Sequence, residues 1–105
     1  MDKMGENTDF EKVYGFVSKK HNLTILRALL SNPRGMGFNA IMKACPGTTP
    51  RILSQRLKEL EKQKIVTKGL VFGSPPKIEY KETAKAEGLK KILAELEEWG
   101  AKELQ

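Results

Sequence analysis

The residues best placed to do chemistry in this sequence lie between positions 49 and 62. Four aliphatic residues recur there at helical spacing and predict one buried helix face: Ile52, Leu53, Leu57 and Leu60. The opposite face then carries side chains that hydrogen-bond to base edges and phosphates: Arg51, Ser54, Gln55, Lys58 and Lys62, with Arg56 at the margin. Such a helix is typical of one that enters the major groove of DNA, and a merely solvated face is the alternative.

The polar residues of this helix differ in what they can recognise. Arginine, as at Arg51, binds guanine through two hydrogen bonds, glutamine, as at Gln55, binds adenine, and Ser54 suits either a base or a phosphate. The alternative role for Arg56 is to brace the turn or the backbone. At the start of the helix, Thr49 is predicted to cap a first-turn amide and Pro50 to occupy the first helical position. We also count Thr49 among the candidate DNA contacts.

Helices and a hairpin surround this segment. Apolar periodicity predicts a first helix over about residues 9–20, a second over 23–30, a short third over 38–44 and a final helix over about 83–104. Residues 65–72 and 77–81 flank a Gly-Ser-Pro-Pro turn and predict a β-hairpin. The expected fold is therefore mainly α-helical with a small β-hairpin wing, in a single domain over residues 1–105.

The order of these elements predicts a winged helix-turn-helix, with a helix pair over about residues 38–62 and a wing over about 65–81. In such a fold the wing follows the DNA backbone beside the groove. Candidate phosphate or minor-groove contacts on the wing are Lys68, Ser74 and Lys77, and candidate backbone clamps near the ends of the third helix are Arg34 and Lys43. A hairpin kept soluble by its lysines is the alternative.

The two terminal helices carry apolar stripes outside the DNA-binding segment. The first stripe comprises Phe10, Val13, Tyr14 and Val17, and the second comprises Leu89, Ile92, Leu93, Leu96 and Trp99. Such stripes are most often core, but a chain this small leaves the two helices little to cover. We therefore expect them to be dimerisation helices that pack across a two-fold axis in a homodimer, which would place two recognition helices about one DNA turn apart.

Positive charge is concentrated in the middle of the chain. The net charge is +6, yet residues 18–82 alone carry thirteen basic and four acidic side chains, while both ends are slightly acidic. This distribution suggests a centre that binds a polyanion, although a basic surface can also serve solubility alone.

Enzymatic and metal-binding functions find little support in the residues. A single cysteine, Cys45, and a single histidine, His21, provide neither a pair of thiolates for zinc nor a nucleophile with its base and orienting acid. We expect Cys45 to be a small buried filler and the protein to have no enzyme activity, metal or cofactor. No signal peptide or membrane span is indicated, so the expected location is the cytoplasm.

Three segments closely resemble the HxlR-type transcriptional regulators of the MarR-like superfamily: TILRALL at 24–30, CPGTTPRILSQRLKEL at 45–60 and PPKIEY at 75–80. The middle segment is the specific one, because that family combines a proline-glycine turn with a Leu-Ser-x-Arg-Leu-x-x-Leu recognition helix. The resemblance implies a homodimer that binds inverted-repeat DNA. Many members have a cysteine near the amino terminus that serves some as a redox sensor, but residues 1–20 here contain none.

The function expected from these observations is a sequence-specific regulator of transcription that binds double-stranded DNA as a homodimer and acts as a repressor. Two alternatives stay open. One is a nonspecific architectural protein that coats DNA or RNA, and the other is a winged helix that binds another protein. No membrane partner is expected, and the sequence carries no indication of a small-molecule effector.

Overall fold

The computed structural model describes residues 8–104, which form five helices and one small sheet. This architecture confirms the predicted fold class, mainly α-helical with a hairpin wing. In chain order the elements are α1 (Asp9–Val17), α2 (Asn22–Leu30), β1 (Met36–Gly37), α3 (Phe38–Ala44), α4 (Pro50–Lys62), β2 (Val66–Val71), β3 (Lys77–Glu82) and α5 (Ala84–Glu103). Within the described residues, none of the helices is both long and apolar enough to cross a membrane.

The core lies where α2, α3 and α4 meet the base of the hairpin. Its fully buried members are Ile25, Leu26, Leu29, Ile41, Cys45, Leu53, Leu57, Leu60 and Val66. Helix α2 is buried along most of its length, and α4 contributes three leucines from one face. Burial of each such side chain favours folding by about 1.5–3 kcal/mol, so this cluster holds α4 in a defined position.

The sheet has three antiparallel strands in the order β1-β3-β2. The predicted hairpin is present, with pairs running from Val66 opposite Glu82 to Val71 opposite Lys77. Strand β1 adds to the outer edge of β3, where Met36 lies opposite Tyr80. Strand β1 is not predictable from the sequence, because two residues are too few to show an alternating pattern.

Two local predictions need correction. The first helix ends at Val17 rather than near residue 20, because the chain turns through a left-handed His21 (φ 70°) and the buried Asn22 donates its side-chain Nδ2 to the Phe16 carbonyl at 3.0 Å. Arg34 lies in the turn before β1 rather than at the start of α3. That turn is completed by Gly35, whose φ of 109° suits glycine.

Candidate nucleic-acid interface

Helix α4 turns one apolar face to the core and one polar face to solvent. Leu53, Leu57 and Leu60 are buried, whereas Arg51, Gln55 and Lys58 are exposed. Because these three polar residues follow the spacing i, i+4 and i+7, they form one stripe along the helix. Ser54 is half-buried beside them. The structure thus brings four of the predicted DNA contacts together on a single helix surface, which we call the polar stripe of α4.

The start of α4 is held by its own residues. Thr49 Oγ1 accepts a hydrogen bond from the Ile52 amide at 3.1 Å, and Pro50 occupies the first turn, as predicted. The turn before the helix is closed by the Thr48 amide, which donates to the Cys45 carbonyl at 3.2 Å, and by Gly47 with a φ of 91°. Thr49 is exposed, and its hydroxyl keeps a donor hydrogen that is free for another acceptor.

Arg56 faces the body of the protein. Its Nε donates to the Lys20 carbonyl at 2.9 Å, its Nη1 lies 3.6 Å from Glu59 Oε1, and only 14% of the side chain is exposed. Lys19 Nζ lies 3.4 Å from the same carboxylate oxygen. These contacts fasten α4 to the link between α1 and α2. The geometry therefore corresponds to the bracing role that the sequence left open for this arginine.

The carboxyl end of α4 is held by the start of α5, an arrangement that the sequence analysis did not anticipate. Thr83 Oγ1 donates to the Lys64 carbonyl at 2.7 Å, and the Thr83 amide donates to the Ile65 carbonyl at 3.0 Å. Lys85 Nζ donates to the Gln63 carbonyl at 2.9 Å. These bonds join residues about twenty positions apart in sequence, so only the folded chain shows them. Both ends of α4 are therefore anchored.

The remaining predicted contacts lie on other elements and are exposed. Lys68 is on β2, Lys77 begins β3 and Ser74 lies in the loop between these strands. Lys43 is in the last turn of α3, and Arg34 is in the turn before β1. Exposed cationic side chains on several elements next to a helix-turn-helix are suited to contact phosphates on both sides of a groove.

The wing also has an apolar surface that the sequence analysis left without a role. Phe72 is 87% exposed, and Leu70 and Ile78 are 55% and 50% exposed. The signal was available, because large apolar residues stand on both sides of the Gly-Ser-Pro-Pro turn.

The terminal helices expose most of the residues predicted for a dimer interface. Phe10, Val13 and Tyr14 on α1 are exposed, as are Ile92, Leu96 and Trp99 on α5, while Val17, Leu89 and Leu93 are half-buried. The rings of Phe10 and Tyr14 stack with their centroids 6.1 Å apart. Helix α5 is tied to α2 by Arg27 Nε, which donates to Glu97 Oε2 at 2.8 Å. Leu89 packs against the core, but the exposed residues of both apolar stripes are left uncovered by the single chain.

The two residues with catalytic or metal-binding potential lie apart from the polar stripe. Cys45 is buried in the core, and its burial raises the pKa of its thiol. His21 is half-buried at the start of α2. Among residues 8–104, no group of three histidine, cysteine or acidic side chains is arranged to hold a metal ion.

Comparisons with known proteins match this arrangement. The family described as HxlR-like helix-turn-helix matches residues 16–105. The HTH-type transcriptional regulator YvaP of Bacillus subtilis is 37% identical over 90 residues, which cover 86% of this chain and 82% of that protein. Among solved structures, a MarR-family regulator from Porphyromonas gingivalis W83 superimposes with a TM-score of 0.82 at 23% identity, covering 98% of this chain and 99% of that chain.

A third similar protein has been solved in several redox-related forms. The transcriptional regulator YodB of Bacillus subtilis, in its reduced form, superimposes with a TM-score of 0.75 at 28% identity and covers 86% of each chain. YodB has also been solved after treatment with diamide and with quinone bound.

Proposed function

The chain belongs to the HxlR-like helix-turn-helix family of DNA-binding transcriptional regulators, and from this premise we propose that it binds a specific inverted-repeat DNA sequence as a homodimer and represses transcription there. The observation that carries the proposal is the polar stripe of α4, a set of side chains with base-reading chemistry on a helix anchored at both ends.

Within the polar stripe, we assign base contacts to Arg51 and Gln55. A bidentate arginine–guanine or glutamine–adenine pair discriminates against other bases by about 1–3 kcal/mol, provided that the side chain starts from a fixed position. The buried leucines of α4 and the bonds at its two ends supply that position. Ser54 and Lys58 contact a base edge or the neighbouring phosphates.

The other exposed candidates bind the DNA backbone. We assign phosphate contacts to Thr49, Arg34, Lys43, Lys68, Ser74 and Lys77. Arg56 belongs to a different class, because its hydrogen bond to Lys20 and its proximity to Glu59 occupy the guanidinium. We propose that Arg56 positions α4 rather than reading a base.

The homodimer is formed through the apolar stripes of α1 and α5. Exposed aromatic and aliphatic residues at helical spacing on both terminal helices suit a two-fold interface, and their coverage by a second copy removes them from water. Two copies then present two α4 helices to successive major grooves, which matches an inverted repeat. Repression needs only that such a dimer occupies a promoter, so it is the simpler regulatory outcome.

Selection of bound sequences from a pool of random duplexes tests this proposal. We expect one inverted repeat to be enriched, with a dissociation constant near or below about 10 nM at physiological salt and a steep loss of affinity as salt rises. Arg51→Ala is expected to weaken this binding, whereas Lys102→Ala, which removes one positive charge in the last turn of α5, is the control and is expected to leave it unchanged.

Competition for the selected duplex distinguishes this proposal from nonspecific coating of nucleic acid. The central positive charge of the chain favours that alternative. Equal competition by unrelated DNA or by structured RNA would favour the architectural role and exclude sequence-specific regulation. Placing the selected repeat upstream of a reporter gene then shows whether expression falls when the protein is present, as repression requires.

A further inference from the structure

The tip of the wing is apolar and uncovered. Phe72 follows β2 directly, and its side chain is almost entirely exposed. Leu70 and Ile78 are direct cross-strand partners, so they share one face of the hairpin just below the tip. Exposure of a Phe beside two exposed aliphatic residues is unfavourable in water. A hairpin selected only for solubility would carry polar residues at these positions.

The chain's own core cannot cover this tip. Along β2 only the first residue, Val66, is buried, and the following residues of the strand are exposed. Two consecutive prolines, Pro75 and Pro76, limit the conformations of the loop. Phe72 is therefore presented outward on a stiff support.

The charge around the tip indicates what kind of surface covers it. Residues 67–78 contain two exposed lysines, Lys68 and Lys77, and the nearest acidic residue, Glu79, is half-buried farther down β3. The partner is therefore negatively charged where it meets the strands and apolar where it meets the ring. A second copy of this chain, which is itself basic, fits that description poorly. The minor groove of DNA fits it well, because two phosphate walls border a narrow groove with stacked bases at its floor.

The position of the wing supports the same partner. Only residues 63–65 separate α4 from β2, and α4 packs against β2. When the polar stripe of α4 enters a major groove, this short link holds the hairpin beside the same duplex, where it can reach a neighbouring minor groove.

On these grounds we infer that Phe72 is an apolar wedge, which enters the minor groove beside each half-site and inserts between two base pairs, bending the duplex. The inference rests on the proposed function, since it needs a bound operator. Proteins that insert a Phe in this way partly unstack one base step and kink the DNA by about 20–90°. Pyrimidine–purine steps unstack most easily, so the wedge selects such steps in the flanks of the operator without a hydrogen bond to any base.

Bending of a labelled duplex tests the wedge. The probe is the duplex selected from the random pool, about 30 base pairs long, with a fluorophore at each end and 2-aminopurine at a flanking pyrimidine–purine step. With the wild-type protein at saturation we expect closer ends and brighter 2-aminopurine. With Phe72→Ala we expect a straighter duplex, a dim 2-aminopurine and an affinity lower by about tenfold.

Two further variants keep the test specific. Ile78→Ala removes exposed apolar surface from the strand just below the tip and is expected to leave the bend unchanged. Phe72→Lys adds a phosphate-binding charge at the tip, and we expect it to retain affinity better than Phe72→Ala while losing the bend. Circular dichroism of each variant verifies that the fold is intact.

The failures of the two proposals look different. If the wild-type protein enriches no sequence, the proposed function fails before the wedge is tested. If it enriches a sequence but Phe72→Ala bends and unstacks that duplex as the wild type does, the wedge is wrong. The wedge is equally overturned if Phe72→Ala alters self-association or binding to phosphatidylserine vesicles while the bend persists, because the tip then contacts protein or lipid.

Discussion

Helices α4 and α5 carry similar apolar stripes, but the single chain buries the first and leaves most of the second exposed. Leu53, Leu57 and Leu60 of α4 are buried in the core, whereas Ile92, Leu96 and Trp99 of α5 are exposed. The difference teaches that periodicity identifies an apolar helix face without identifying what covers it. In α4 the cover is the same chain, and its consequence is a fixed polar stripe. In α5 we propose that the cover is a second copy.

The largest expected effect is a loss of stability when a leucine side chain is shortened to alanine in the buried stripe of α4 but not in the exposed stripe of α5. Leu57→Ala leaves a cavity in the core and is expected to lower the free energy of unfolding by about 2–5 kcal/mol. Leu96→Ala lies on the exposed stripe and is expected to change the unfolding of dilute monomer little. Chemical denaturation measured at several protein concentrations compares them, and equal losses at all concentrations would contradict the distinction.

Charge placed on the α5 stripe tests whether a second copy covers it. We expect Leu96→Glu to yield monomers, because burial of an unpaired carboxylate at an apolar interface is strongly unfavourable. Affinity for the selected inverted repeat should fall by about a hundredfold or more, since each half-site then binds alone. Sedimentation velocity and DNA binding measure the two effects, with Glu95→Gln as a control on the same helix. A variant that stayed dimeric would refute the assigned interface.

Substitution of the two arginines of α4 distinguishes base recognition from a structural role in positioning the helix. Arg51→Ala should weaken binding by about 1–3 kcal/mol for the selected sequence and relax preference at one base position. Arg56→Ala should weaken binding to all sequences alike and lower stability, because it releases the Lys20 carbonyl and leaves Glu59 with Lys19 alone. Binding to a panel of single-base variants distinguishes the roles. A change in base preference from Arg56→Ala would reverse the assignment.

A smaller effect is expected for the oxidation of Cys45. Because Cys45 is buried in the core and burial raises the pKa of its thiol, little reactive thiolate is present near neutral pH. We expect maleimide to label the native protein slowly and the denatured protein rapidly, and diamide to leave DNA binding unchanged. Cys45→Ala is the control. Rapid labelling of the native protein, or release of DNA by diamide, would show that the core admits the reagent.

The smallest expected effect concerns the link between α5 and α2. Arg27 holds the pKa of Glu97 below its usual range through their hydrogen bond and opposite charges. A carboxylate with a lowered pKa in the folded state contributes stability above its unfolded pKa and loses it as pH falls through the folded value. Stability should therefore fall slightly on acidification, and less so in Glu97→Gln. Because both side chains are exposed, salt should weaken the effect.

Local signals predicted α4 and the hairpin well. Thr49 and Pro50 mark a helix start through hydrogen bonding and backbone geometry that involve only neighbouring residues, and the observed helix begins there. The turn at residues 73–76 likewise separates the two strands of the wing. Strand β1 and the end of the first helix follow from contacts outside their own segments instead. Strand β1 needs the edge supplied by β3, and the end of α1 depends on the side chain of Asn22.

The candidate site shows the same division. The sequence by itself determined which residues share the polar stripe of α4, since helical spacing alone puts Arg51, Gln55 and Lys58 on one side. Only the tertiary structure decided that Arg56 turns inward to the Lys20 carbonyl and that Thr83 and Lys85 hold the far end of α4. The physical reason is the distance along the chain over which each interaction acts. Spacing and capping act within a few residues, whereas these bonds join atoms that are distant along the chain and meet only once the core has formed.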